Sequence, residues 1–343
     1  MLKLRLIILM NQLTKITAVV FFTVALFTSC TNSQYTEESP QLRVVTTVSP
    51  ITSIVENIGG PRIHLEGVVP EGVNSHTFDP PPSVARTVSK ADLIVVNGLF
   101  LEEPFLKIAT ANKKPGAIIL ALANDTLAMD QWTFDSSFPA SQGLPNPHLW
   151  TDPLLALEYA TLVRDKLIKL DPSNSSYYQI NHKLLSNRIM ELDQNISAAI
   201  ESIPPSNRKL LTYHDSFPFF GQRYGLEIIG AVQPSAFTEP SAREIAHLIE
   251  QVIHLNVPAI FGSAGFSSKV MEQISRESGV KFVDDLRDDD LPGEPGDITH
   301  TYLGLMLHNA TIIVSSLGGN PSPLSEFNPR LVFQEQSLAI YPQ

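Results

Sequence analysis

Short apolar runs alternate with amphipathic segments along most of the 343-residue chain. In the first half, four apolar runs predict strands, and segments with apolar residues every three or four positions separate them. The predicted strands cover residues 43–48, 63–70, 92–98 and 116–124, and the clearest helices cover residues 51–60 and 82–91. Strands alternating with helices are typical of a parallel sheet covered by helices on both faces.

A long amphipathic segment at residues 172–203 interrupts this alternation. Its apolar face comprises Tyr177, Leu185, Ile189, Leu192, Ile196, Ala199, Ile200 and Ile203. Pro172 suits a first helical turn, and the Pro204-Pro205 pair ends the helix. Such a helix is roughly 45 Å long at 1.5 Å per residue. We expect it to join two lobes as a rigid spine, the alternative being a long helix packed on one domain.

The strand and helix alternation resumes after the long helix. Predicted strands cover residues 209–214, 227–232, 258–262 and 280–285, and helices cover residues 241–255, 268–279 and 301–317. The predicted fold class is therefore α/β, with two lobes at residues 42–171 and 204–343. Each lobe is expected to hold a mostly parallel sheet flanked by helices.

The N-terminus has the pattern of an export signal. Residues 1–29 contain three basic residues, no acid, and an apolar run too short for a confident transmembrane helix. The run ends in LFTSC, and Cys30 is the only cysteine. This resembles a bacterial lipoprotein signal, so we expect lipidation of Cys30 and a flexible tether over residues 30–41. The alternative is a plain secreted protein with a free thiol.

The net charge of the chain restricts the classes of partner that it can bind. The formal net charge is −11 at pH 7. Removing the signal lowers Lys+Arg from 24 to 21 against 35 acids, which brings the net charge near −14. This excess of acid argues against nucleic acid as a partner and is compatible with capture of a cation. Without a second cysteine, a metal site must use nitrogen and oxygen ligands.

Four polar residues stand where a ligand site is expected in such a fold, beyond the carboxyl ends of strands. His76 and His148 belong to the first lobe, and His214 and Asp284 belong to the second. Proline at residues 147 and 153 makes the loop around His148 stiff. Three imidazoles and one carboxylate suffice for a four-coordinate divalent ion in the cleft between the lobes.

Seven ordered motifs give the chain a family resemblance over residues 44–317. They are GVNSHTFDPPPS, ADLIVVNGLFLE, NPHLWTDP, LLTYHDSFPFFGQRYGLEIIG, EPSAREIAHL, GVKFVDDL and TYLGLMLHN. The chain resembles the zinc- and manganese-binding solute-binding lipoproteins of ATP-driven (ABC) metal importers. The resemblance implies that His76, His148, His214 and Asp284 are the metal ligands and that the long helix is the interlobe spine. It also implies a monomer, anchored in the cell envelope outside the cytoplasm, that serves a membrane permease.

The chain departs from this family in two places. A glutamate that often follows a second-lobe strand is absent, and Ser263 lies nearby. The histidine-rich loop of many zinc members is also missing, since residues 124–147 contain no histidine. Three imidazoles favour zinc. The missing loop and the carboxylate leave manganese as the main alternative and iron as another.

The remaining acids and histidines are expected to be structural or exposed. The acidic run at residues 284–297 does not fit a calcium-loop spacing and is predicted to be mostly a solvated loop. Asp284 is preferred to Asp285 because it ends the strand. The other histidines are His64, His182, His247, His254, His300 and His308. Of these, His300 is the strongest alternative ligand.

The leading functional hypothesis is therefore capture and delivery of a divalent ion without chemistry. Four protein ligands leave no open position for an activated water. The rival is a zinc hydrolase, but the chain lacks a His-Glu-x-x-His helix. An additional role as a surface adhesin is not addressed by these patterns.

Overall fold

The computed structural model describes residues 41–134, 140–233, 240–264, 269–336 and 339–342. These residues form two four-stranded parallel sheets with helices packed on them. The predicted signal, Cys30 and almost all of the predicted tether lie outside the described residues. None of the described helices combines the length with the apolar character that crossing a bilayer requires.

The first sheet has the strand order β2-β1-β3-β4. Its strands are β1 (Leu42–Thr46), β2 (Ile63–Gly67), β3 (Leu93–Val96) and β4 (Ile118–Ala121). Successive strands are connected by α1 (Ser49–Gly59), α2 (Pro82–Val88) and α3 (Glu103–Asn112). Every residue of β3 is buried, as is usual for a central parallel strand covered on both faces.

Three helices connect the sheets. A short helix, α4 (Leu122–Thr126), follows the first sheet directly, and α5 (Pro153–Leu170) and α6 (Ser175–Glu201) come after a longer connection. A 3-10 turn at Pro172–Asn174 joins α5 to α6. These two helices pack against each other and against α1. At 27 residues, α6 is about 40 Å long.

The second sheet has the strand order β6-β5-β7-β8, the same arrangement as the first sheet. Its strands are β5 (Lys209–Thr212), β6 (Glu227–Ala231), β7 (Ala259–Ser263) and β8 (Lys281–Leu286). The helices that follow them in turn are α7 (Pro218–Tyr224), α8 (Ala242–His254), α9 (Lys269–Ser278) and α10 (Tyr302–Ser316). The carboxyl ends of β5 and β8 therefore lie at one edge of this sheet.

Two hydrophobic cores lie on opposite faces of the second sheet. Leu210 belongs to the large core, which also contains the first sheet, α5, α6 and α10. The next residue, Leu211, belongs to a smaller core formed with α8 and α9. Successive residues of a strand point to opposite faces. The large core therefore joins the two sheets through the central helices, while the small one covers only the outer face.

The C-terminal segment returns to the first sheet. Ile340 forms an isolated parallel bridge with Glu66 in β2. The amide of Gly67 donates to the Ile340 carbonyl at 2.9 Å, and the Ile340 amide donates to the Leu65 carbonyl at 3.0 Å. Tyr341 donates from Oη to Glu56 Oε2 in α1 at 2.5 Å. The end of the chain thus pairs with the outer edge of β2.

The predicted fold class is confirmed, including the long helix. Within this helix the buried aromatic is Tyr178, whereas Tyr177, predicted on the apolar face, is only partly buried. The predicted boundaries of the two lobes stay a prediction. Residues 204–343 were assigned wholly to the second lobe, and the return of Ile340 to β2 shows that their last part contacts the first sheet.

Candidate metal centre

His76 lies in the loop between β2 and α2. Asn74 shapes the turn before it, since its Oδ1 accepts from the His76 amide at 2.9 Å. Three consecutive prolines, residues 80–82, follow and limit the backbone. The side chain of His76 is partly buried. The loop therefore presents this imidazole with little backbone freedom.

His148 is fully buried and lies in a loop that is tied to the end of the first sheet. Asn97, directly after β3, donates from Nδ2 to the Pro147 carbonyl at 2.8 Å. Tyr159 of α5 donates to Asn97 Oδ1 at 2.6 Å. Glu102 accepts from the Asn97 amide at 2.7 Å, and burial raises the pKa of the Glu102 carboxyl. This buried network holds the residue that precedes His148.

The residues after His148 connect its loop to α5. Thr151 donates from Oγ1 to the His148 carbonyl at 2.9 Å. Asp152 is the N-cap of α5, where its side chain accepts from the Leu154 amide at 2.8 Å, and Pro153 occupies the first helical position. Such caps satisfy amides that a helix leaves unpaired. The NPHLWTDP motif thus places a stiff loop against a capped helix.

His214 follows β5 by two residues. Thr212, the last residue of that strand, donates from Oγ1 to the His214 carbonyl at 2.6 Å. Gln233 lies just beyond β6, and its Oε1 is 3.1 Å from His214 Nδ1. Since β5 and β6 are neighbours in the sheet, their carboxyl ends bring these two side chains together.

The three histidines present one nitrogen each to a common point. The Nε2 atoms of His76 and His148 are 3.4 Å apart, and that of His214 is 3.3 Å from each of them. A tetrahedral zinc with Zn–N bonds of 2.0–2.1 Å requires nitrogens about 3.3–3.4 Å apart. The triangle therefore has the size of one tetrahedral face, and an ion there would lie about 0.7 Å from its plane.

Asn146 determines which nitrogen of His148 faces the centre. Its Nδ2 donates to the Asp215 carbonyl at 2.6 Å, so its Oδ1 is directed towards His148. That oxygen accepts from the His148 amide and lies 3.0 Å from His148 Nδ1. The Nδ1 must therefore carry the proton, and Nε2 is the unprotonated nitrogen that can bind a metal. Gln233 Oε1 favours the same tautomer in His214.

Burial favours the neutral form of His76 and of His148. It is the main cause that lowers the pKa of His76 and of His148 well below the ordinary 6.5, and the neighbouring His214 lowers both further. A neutral imidazole is the form that binds a metal ion. The two rings can therefore offer unprotonated nitrogens to a metal ion.

Asp284, the predicted fourth ligand, is not brought to these histidines. Among the described residues, the three histidines alone form a cluster of potential ligand atoms within 4.8 Å of one another. Asp284 is exposed and lies beside Gly262 of the neighbouring strand β7. Its pKa is raised by partial burial and by the nearby charges of Asp285 and Glu272, not by the site.

Asp289, five residues later, lies next to the histidine loop instead. Ser75, the residue before His76, donates its hydroxyl to Asp289 Oδ2. The other oxygen, Oδ1, is buried and has no hydrogen-bond partner among the described residues. Burial and the adjacent Asp288 raise the pKa of the Asp289 carboxyl well above its usual value. A buried carboxylate oxygen without a donor is costly unless a cation or proton joins it.

The expectation that the acidic run is mostly solvated is wrong for residues 288–291. Asp288 and Leu291 are buried. Trp150 donates from Nε1 to the Asp288 carbonyl at 2.9 Å. Asp290 accepts from the Gly72 amide at 3.0 Å, and the Leu291 amide donates to Glu71 Oε1 at 3.2 Å. We call residues 288–291 the acidic loop. The bonds with Gly72 and Glu71 attach it to the loop that carries His76.

The other predicted features lie around the site or away from it. Ser263 at the end of β7 is buried, and its Oγ is 3.4 Å from Asp288 Oδ2. His182 bonds with Thr161 and Arg164 on α5. His300 is buried, 3.7 Å from Glu71 Oε1, and outside the histidine cluster.

Sequence reasoning missed Asn146, Gln233 and Asp289. Asn146 precedes the Pro-His pair in the motif that singled out His148, and Gln233 directly follows a predicted strand. The sequence positions of both residues could therefore have indicated them. Asp289 had no comparable signal, because a carboxylate three residues past a strand in an acidic run does not reveal which neighbour will be buried.

Comparisons with known proteins agree with this fold and identify a family. Residues 44–316 match the family profile described as ZnuA, zinc-uptake complex component A, periplasmic. The manganese-binding lipoprotein MntA of Halalkalibacterium halodurans is 28% identical, covering 82% of this chain and 90% of the relative. The zinc-binding protein TroA of Treponema pallidum is also 28% identical, covering 80% and 88%.

Solved structures of similar proteins have the same fold. The structure of the periplasmic zinc-binding protein TroA from Treponema pallidum superposes with a TM-score of 0.73 at 26% identity, covering 81% of this chain and 99% of that one. A manganese-bound periplasmic metal-binding protein from Candidatus Liberibacter asiaticus superposes with a TM-score of 0.71 at 26% identity, covering 81% and 100%. The profile match covers well over half of the sequence, so the chain belongs to the family of periplasmic zinc-uptake components.

Proposed function

We propose that this protein captures one divalent transition-metal ion outside the cytoplasm and delivers it to an ABC-type membrane permease. The observation that carries the proposal is the triangle of three Nε2 atoms at 3.3–3.4 Å. Imidazoles are rarely buried in contact with one another unless something offsets their loss of solvation. A shared cation accounts for the arrangement.

The proposed ligands are His76, His148, His214 and Asp289. Asp289 replaces Asp284 in this assignment. Its buried Oδ1 finds no hydrogen-bond partner in the described part of the chain, and its Oδ2 is held by the residue adjacent to His76. Asp284 Oδ1 lies against Gly262, and the side chain is exposed to water.

Zinc is the favoured ion, with manganese and iron as alternatives. The size of the triangle matches tetrahedral zinc, and three nitrogen ligands suit zinc better than a harder ion. Relatives in this family are named for different metals, since YfeA of Yersinia pestis, 26% identical over 88% of this chain, is an iron-binding protein. Ion identity therefore depends on the donor set and its geometry.

Transport without chemistry fits this ligand set. Three histidines and a carboxylate fill a tetrahedral shell and leave no position for a water that could be activated. The family is one of metal-binding transport components. We therefore propose that the protein is a carrier, that Cys30 is lipidated, and that the monomer is tethered to the outer side of the membrane.

Metal titration of chelator-stripped protein tests the assignment. We expect one zinc ion per chain, and binding weakened by orders of magnitude in the variants His148→Ala, His214→Ala and Asp289→Asn. The control variants Asp284→Asn and His182→Ala should bind as the unmodified protein does. The assignment of Asp289 fails if Asp284→Asn is the more damaging carboxylate change, and metal capture fails if none of the ions binds stoichiometrically.

A further inference from the structure

A small basic pocket lies on the first sheet, apart from the histidine cluster. It has a volume of about 100 Å³ and is lined by side chains of β1, β2 and the end of α2. The cationic members are Arg43, Arg86 and Lys90, and His64 lies among them. Arg43 and His64 are partners in the register between β1 and β2. The volume is several times that needed for one water molecule.

The cations of this pocket form no close ion pair within the described part of the chain. Neither an ion pair nor a side-chain hydrogen bond involves Arg43, Arg86 or Lys90 among those residues. The nearby Asp92 is paired with Lys114 at 2.6 Å. The positive charge of Arg43 also interacts with Asp92 and helps to lower the pKa of that carboxyl.

The one acid in the lining is also engaged. Thr87 donates from Oγ1 to Glu66 Oε1 at 3.0 Å. The pocket thus combines three cations with one hydrogen-bonded carboxylate, on a chain whose net charge is −11. Arg86 lies in the last turn of α2, where a cation is also favoured by the helix dipole. Arg43 and His64 lie on strands and have no such role.

We propose that this pocket binds a phosphate group. Guanidinium groups donate two parallel hydrogen bonds to phosphate oxygens, and Lys90 adds a third cation. The ligand would thus restore local charge balance that the pocket lacks. Two sources have this chemistry, inorganic phosphate and the headgroup of an anionic lipid.

The position of the pocket along the chain favours the lipid headgroup as the source. Arg43 follows Cys30 by thirteen residues, which span at most about 45 Å when fully extended. With Cys30 lipidated as proposed above, a tether of this length allows the pocket to reach the membrane surface. A headgroup bound there would fix which side of the protein faces the membrane, so the phosphate site would orient the carrier as well as retain it.

Calorimetric titration of the full chain, metal-free and in non-ionic detergent, tests the proposal with inorganic phosphate as the probe. We expect saturable one-site binding that the double variant R43Q/R86Q weakens at least tenfold. The double variant K269Q/R276Q removes the same charge from exposed positions on α9 and should stay within twofold of the unmodified chain. Thermal melting of each variant verifies that it is folded.

A second titration distinguishes the sources. Glycerophosphoglycerol, the soluble headgroup of phosphatidylglycerol, carries the phosphodiester of a lipid. Binding of this diester supports the membrane source, whereas binding of inorganic phosphate alone supports the pocket and overturns the membrane source. The proposal is overturned if neither compound binds, or if both double variants weaken binding equally, because the effect would then be general charge and not a site.

Discussion

Asn146 and Gln233 determine how two of the histidines present their lone pairs, although neither residue is a proposed ligand. Each offers an amide oxygen to an Nδ1 atom, at 3.0 Å and 3.1 Å. An imidazole held in this way has one tautomer and a fixed ring orientation before the ion arrives. Part of the affinity therefore resides in residues that do not contact the metal.

The variant Gln233→Leu should weaken zinc binding by about 10- to 100-fold while all three histidines remain, because the ring of His214 loses its acceptor. The measurement is a competitive zinc titration against a chelator. Gln251→Leu is the matched control, since Gln251 bonds to the Ile229 carbonyl on the same half of the chain. Equal affinities of the two variants would contradict the orienting role.

Burial of the histidines predicts a pH dependence of the metal-free protein. The pKa values of His76 and His148 are lowered in the folded state. Below about pH 6.5 the unfolded chain binds protons that the folded chain excludes, so the free energy of unfolding falls as pH falls, by up to ~1.4 kcal/mol per pH unit per histidine. Above that pH these two groups contribute no pH dependence to the free energy of unfolding.

Urea unfolding of metal-free protein between pH 7.5 and 5 measures this slope, with His76→Gln/His148→Gln as the comparison. The double variant should show a shallower dependence, and identical slopes would refute the role of the two imidazoles. Metal affinity should begin to fall at a lower pH than it would with histidines of ordinary pKa. Unperturbed groups would lose affinity below about pH 6, whereas the lowered pKa values delay competition by protons.

Among the elements, the acidic loop connects regions that are distant in sequence. Its contacts with Trp150 and with Gly72 join it to both loops of the first half that carry histidines. The proposed carboxylate ligand is therefore positioned by the same loops that position two imidazoles. A change in the conformation of any one of these three loops should therefore alter the positions of the other two.

Trp150→Phe removes the indole donor and leaves the buried Asp288 carbonyl without it. We expect the free energy of unfolding to fall by about 1–3 kcal/mol, and zinc affinity to fall because Asp289 is less well held. Trp132→Phe is the control, since the buried Nε1 of Trp132 donates to none of the residues that the structure describes. The connection between loop and site would be refuted if Trp150→Phe lost stability but kept full affinity.

Elements with a strong local pattern were predictable from sequence, and long-range pairings were not. The alternation of apolar runs with helical segments gave both sheets, and the apolar spacing gave α6 within a few residues of its ends. The three histidines could be placed because parallel strands end at one edge. Asp289 and the return of Ile340 depend on contacts between distant segments, which no local pattern encodes.

At the scale of the whole molecule, α6 limits how the protein can respond to its ion. Its 27 residues contain neither glycine nor proline, and a continuous helix without them resists kinking. The large hydrophobic core, which includes α5, α6 and α10, also spans both sheets. We therefore expect loss of metal to loosen the loops around the site without a wide opening of the two halves.

Scattering and melting experiments check this expectation together. Zinc at 1,000 times its dissociation constant should stabilise the folded state by about 4 kcal/mol and raise the melting temperature. The radius of gyration from small-angle scattering should be nearly equal with and without metal. A clear compaction on metal binding would show that the central helices bend or that the halves rotate.

The pairing of Ile340 with β2 has a consequence for how the chain is made. An exported chain leaves the membrane N-terminus first, so β2 and the loop with His76 emerge long before the segment that covers the edge of β2. Until that segment arrives, the edge exposes unpaired backbone groups, which favour association with other chains. The segment around Ile340 thus acts as a closing strand, and the first sheet is complete only once that segment is available to pair with β2.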